Sequence, residues 1–112
     1  MEFDTRDAGD ARIVTVLDER IDAAVAIRFK DAMRDAAAGA PGRVVLDLKN
    51  VAFIDSSGLG AIVATMKLLS GAHRLELASM TPVVDKVFKL TRMDKIFEIY
   101  ESADAALSAD VT

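Results

Sequence analysis

Arg43-Val44-Val45-Leu46-Asp47-Leu48, followed by Val51-Ala52-Phe53-Ile54-Asp55-Ser56-Ser57-Gly58-Leu59-Gly60, is the stretch on which the fold turns. Residues 43–48 are apolar enough to be a central strand. Residues 51–55 lead into a hydroxyl pair and two glycines. From there Leu59, Ile62, Val63, Met66 and Leu69 form one apolar stripe at helical spacing. That order places Asp55 and Ser56 at the mouth of a helix, where the first backbone N–H groups lack intrahelical partners.

Working outward, Arg12 to Leu17 is short and β-branched, which predicts a strand. Asp18 to Ile21 is predicted to turn the chain. Asp22 is a good N-cap for a helix over residues 23–38, where Ala26, Phe29, Met33 and Ala36 recur at helical spacing. Gly39-Ala40-Pro41-Gly42 ends that helix. Downstream, Ser70-Gly71 closes the second helix, and Arg74 to Ala78 alternates as a strand with one face buried. Thr81-Pro82 opens a third helix, with the cap residue first and Val83, Val84, Val87, Phe88 and Leu90 on its apolar side. Ile96 to Tyr100 reads as a last short strand, and Ser102 caps a final helix through Leu107. Alternating strands and helices predict an α/β layer structure with largely parallel pairing in the middle.

The 112 residues fit one domain, 1–112. A net charge of −4 argues against a nonspecific grip on nucleic acid or an anionic membrane. With no cysteine, disulfide and thiol chemistry are excluded and a reducing compartment is the default. The start of the chain, Met1 to Asp7, lacks the pattern of a signal peptide, and no apolar run is long enough to span a bilayer. The expected location is therefore the cytoplasm, and a monomer is the default state when free.

Several chemistries find no support. A serine hydrolase needs a base beside Ser56, yet the one histidine, His73, follows a helix about 20 Å long that starts there. Gly58-x-Gly60 lacks the third glycine of a dinucleotide fingerprint, because Val63 holds that position. A zinc site or calcium loop has no ligand set, so no metal, cofactor or catalytic residue is expected. Met33, Met66, Met80 and Met93 could mark an adaptable surface, but Met33 and Met66 fall on core stripes. Lys86, Lys89, Arg92 and Lys95 read as a solvated helix face or, alternatively, as the seat of an acidic partner.

The core stretch leaves two compatible readings. In the plain one Asp55 or Ser56 is a cap and Gly60 a packing residue. In the functional one the serine is exposed to a kinase, and Gly58 and Gly60 let a phosphate or another backbone come close.

Val44 to Leu48 followed by Val51 to Gly60 resembles the signature of the STAS domain family, and the similarity extends over nearly the whole chain. Ile21-Asp22 is similar to the family's early acidic element, and Met80 to Val84 to its segment before the third helix. The resemblance is closer to free-standing anti-sigma-factor antagonists than to sulphate transporters. It implies an α/β STAS fold, a mixed four- to five-stranded sheet with about four helices. By position it implies that Ser56, with Ser57 as second choice, is phosphorylated by an anti-sigma serine kinase. Asp22, Asp55, Ser57, Gly58, Leu59 and Gly60 would meet that partner. The unmodified form would bind the kinase and the phosphorylated form release it, with a metal-dependent serine phosphatase restoring the first. A rival expectation is a structural STAS subunit of a lipid-transport complex or a stress-sensing scaffold. One position departs from the pattern: Glu19 stands where glycine is common, and would be strained if the turn needs positive φ.

Overall fold

The computed structural model describes residues 1–109. Strands β1 (Phe3–Ala8), β2 (Ala11–Val16), β4 (Arg43–Asp47), β6 (Arg74–Ala78) and β7 (Ile99–Tyr100) form one five-stranded sheet in the order β1-β2-β4-β6-β7. β1 is antiparallel to β2, and every later pairing is parallel. Two short strands, β3 (Arg20–Ile21) and β5 (Phe53–Ile54), form a separate parallel pair. The helices are α1 (Ala23–Ala37), α2 (Ser56–Leu69), α3 (Pro82–Leu90) and α4 (Ala103–Ser108), with a 3-10 turn at Met93–Lys95. The expected mixed sheet and four helices are present.

One face of the sheet carries the main core. Val14, Val44, Leu46 and Leu77 meet Phe29 and Met33 of α1, Leu59 and Ile62 of α2, and Val84 and Phe88 of α3. α4 covers part of the other face, packing Ala103 and Ala106 on Ala11, Ile13, Val45 and Ala78. Met33 is fully buried and Met66 packs against the core, as their stripes require.

Four details differ from the sequence reading. Residues 3–8 form an edge strand that periodicity does not reveal, because four of its six positions are exposed. Its turn to β2 uses Gly9 at φ +60, a conformation glycine adopts freely. The predicted turn at 18–21 ends in a strand, since Arg20 and Ile21 pair with Phe53 and Ile54. The last strand is confined to Ile99–Tyr100, because the 3-10 turn and Ile96 precede it.

The fourth difference lies in β6, which is buried on both faces. Glu76 is 0% exposed, and its carboxylate accepts from Arg43 Nη2 and from Arg74 Nε, both at 2.7 Å. Arg43 also donates to Asp10 Oδ1 at 3.1 Å and to the carbonyl of Ala106 at 2.8 Å, tying α4 to the sheet. These bonds, Glu76 first, hold the Arg43 pKa well above its ordinary value. A buried pair need not stabilise relative to an apolar one, but removing one partner strands the other. Glu76→Ala should therefore lower unfolding free energy by about 3 kcal/mol, read from the urea midpoint at constant m-value.

Backbone strain is confined to two places. Among the described residues Ser79 (φ 62) and Arg92 (φ 61) are the non-glycine residues with positive φ. Arg92 follows Thr91, the C-cap of α3, where a left-handed residue closes the helix and glycine would avoid a steric cost of about 1 kcal/mol. Glu19 is not strained, so the departure at that position does not disturb the turn.

Candidate functional site

The short β3–β5 pair sets two helix mouths side by side. Ile21 is in register with Ile54, and the next residue on each strand, Asp22 or Asp55, is the N-cap of the helix that follows. The link is made by backbone bonds: Ala52 and Phe53 donate to the Glu19 carbonyl, and Asp55 donates to Ile21 O at 3.4 Å. Arg20 lies over the Phe53 ring at 4.2 Å and donates to Asp22 Oδ2 at 3.2 Å.

Asp22 accepts from the amides of Ala24 and Val25 at 3.2 and 3.4 Å. The Arg20 hydrogen bond, then these two amides, hold its carboxyl below the usual aspartate range against the opposing effect of burial. The cap's contribution is therefore full above the ordinary aspartate value, declines as pH falls below it, and is gone once the lowered folded value is passed. Asp55 accepts from Gly58 N at 2.9 Å. The cap is thus Asp55 and not Ser56, which occupies the first helical position.

Ser56 and Ser57 are exposed, so both hydroxyls are free of the capping role and open to solvent. Asp22 and Asp55 are half-buried beside them, and Gly60 is exposed, with open space where a side-chain methyl would stand. Gly58 and Leu59 are buried instead. A Cβ on Gly58 would collide with the carbonyl oxygen of Ile21. The close approach that Gly58 permits is therefore to the chain's own β3.

The remaining sequence candidates lie elsewhere. His73 is far down the chain beyond the C-terminus of α2, where its Nδ1 lies 2.9 Å from the Pro41 carbonyl. Thr81 stands at the N-cap position of α3, yet its hydroxyl donates to Val51 O at 2.7 Å and makes no cap bond. Among the described residues no group of three or more His, Cys, Asp or Glu could hold a metal ion, and no helix is long and apolar enough to cross a membrane. The Gly58–Ile21 contact was not legible in the sequence, since it joins residues 37 positions apart through a two-residue strand.

Comparison with known proteins gives the family and the fold. The family model described as the STAS domain matches residues 2–106. The anti-sigma F factor antagonist of Paenibacillus polymyxa is 35% identical over 66 residues, which is 58% of this chain and 56% of that protein's own length. The crystal structure of an anti-sigma factor antagonist from Mycobacterium paratuberculosis superposes with a TM-score of 0.82 at 28% identity, covering 96% of this chain and 91% of that one. SpoIIAA of Bacillus, at 19% identity, shares the fold in its phosphorylated form, with a TM-score of 0.65 and coverage of 95% and 96%.

The two glycines separate fold from surface. Gly58→Ala should destabilise by about 1–3 kcal/mol through overpacking against Ile21. Gly60→Ala should stabilise by about 0.5–1 kcal/mol through helix propensity. Thermal unfolding of the pair checks both signs.

Proposed function

The chain belongs to the STAS domain family, and from that membership we propose that it is an anti-sigma factor antagonist switched by phosphorylation of Ser56. Its unmodified form binds an anti-sigma serine kinase, the phosphorylated form releases it, and a metal-dependent serine phosphatase resets the switch. The observation that carries this reading is the exposed Ser56 at the first position of α2, with the cap already supplied by Asp55.

Physical chemistry supports a local switch. A phosphoserine adds about −1.5 to −2 charges near neutral pH. At a helix N-terminus the dipole favours that charge by roughly 0.3–1 kcal/mol, so the domain itself stays folded. A docked partner meets a different surface. Asp55 directly precedes Ser56 and Asp22 caps the helix that starts from the paired strand, so an added phosphate joins existing negative charge where a neutral hydroxyl had been. A desolvated like-charge contact costs several kcal/mol, and about 2.7 kcal/mol weakens binding a hundredfold. No large rearrangement is needed. Retention of the fold by phosphorylated SpoIIAA is consistent with this.

The relatives support the partner class by name, as anti-sigma factor antagonists. In a calorimetric titration with the cognate kinase, Ser56→Ala should bind like the wild type and gain no phosphate by intact mass in the presence of ATP. Ser56→Asp should bind at least tenfold more weakly. Equal affinities for the two variants, or a phosphate carried on Ser57 alone, would defeat the assignment to Ser56.

A further inference from the structure

α3 carries a broader apolar sector than the core covers. Val84 and Phe88 are fully buried against the sheet. At the margin of that sector Val83 is 55% and Leu90 74% exposed, and their i, i+7 spacing puts them on one line with exposed Lys86 between. Exposed Arg92, Lys95 and Ile96 extend the strip past the helix end. From Pro82 to Phe97 the chain has four cations against two carboxylates, although its net charge is −4. Lys89 is tied to Asp85 at 2.9 Å, whereas Lys86, Arg92 and Lys95 form no ion pair among the described residues.

Arg92 holds a left-handed conformation, at a helix end where glycine is the usual and less strained residue. A cation is thus kept at the tip of the strip against backbone preference. Only the head of the strip is linked to the run before Ser56, since Lys95 and Ile96 share a cavity with residues 70–74, beyond the far end of α2. Thr81, at the head of α3, is bonded to Val51, on the run that leads to Asp55 and Ser56. A partner that meets both Ser56 and the basic end of the strip therefore has to extend along the length of α2.

We infer that this strip is a second docking surface for the anti-sigma kinase, seating a segment that carries carboxylates beside apolar side chains. The inference rests on the antagonist reading of Ser56 and divides the work between two places. Basic charges on the strip steer association and are screened by salt, while Ser56 sets whether the docked complex persists. Charge complementarity selects the occupant: an acidic segment satisfies three unpaired cations that a neutral or basic one would leave exposed or repel.

Surface plasmon resonance with the kinase at low and high salt tests this, alongside thermal unfolding of each variant. Arg92→Gly should raise the melting temperature by about 2–4 °C while lowering affinity about fivefold at low salt. The loss should lie in the association rate and shrink at high salt. Val83→Asp combined with Leu90→Asp should cut affinity at least tenfold with unchanged melting, because both side chains are exposed. Wild-type binding by these variants, with Ser56→Asp still impaired, would overturn the second surface and leave the phosphorylation reading standing. Absence of binding by the wild type overturns both. Lost binding together with a lowered melting temperature in Arg92→Gly makes that residue structural and overturns its docking role.

Discussion

The contact of Gly58 with the carbonyl of Ile21 governs everything around Ser56. α2 presses its first turn onto the backbone of β3 so closely that a single methyl group could not be added. β3 is held in turn by β5, and β5 runs directly into α2. The result is a closed loop of constraints: strand, partner strand, cap and helix each fix the next. Nothing in it depends on a long side chain, so the helix mouth is placed by backbone geometry and is correspondingly rigid.

That rigidity explains how the local chemistry is divided. Because Asp55 supplies the cap, the hydroxyl of Ser56 has no structural duty at the helix start. Asp22 caps the neighbouring helix from the equivalent place, one residue past the strand position paired with Ile54. Arg20 neutralises one side only, by its bond to Asp22 and its stacking on Phe53. Under the proposed switch, a new anion on such a surface repels a partner and leaves the fold in place. The electrostatic change and the scaffold are therefore separable.

The opposite end of the sheet has another purpose. Arg43, Glu76, Arg74 and Asp10 form a network that pins α4 across the strands, far from the helix mouths. It makes the second sheet face a mixed surface, apolar under α4 and ionic at its margin. Burial of such a pair is tolerated because both carboxylate oxygens of Glu76 have a guanidinium partner. The buried ion network and the proposed switch site thus lie at different ends of the same strands.

What could be read from the chain alone was whatever depends on neighbours in sequence. The caps at Asp22 and Ser102, the helix of residues 56–69 and the apolar strand around Val45 follow from local spacing and local hydrogen bonding. The family likeness is carried chiefly by Val44 to Leu48 and Val51 to Gly60, with Ile21-Asp22 and Met80 to Val84 beside them. Tertiary structure alone decided the rest. Phe3–Ala8 is a strand only because β2 offers it an edge, and its exposed polar residues carry no period of their own. Glu76 is a core residue only because Arg43 reaches it from a strand 33 positions away. Gly58 and Gly60 look alike in the sequence, yet one is packed on Ile21 and the other faces water. The reason is common to all three: periodicity records which side of an element is apolar, whereas a contact between distant elements is known only once both have been brought together.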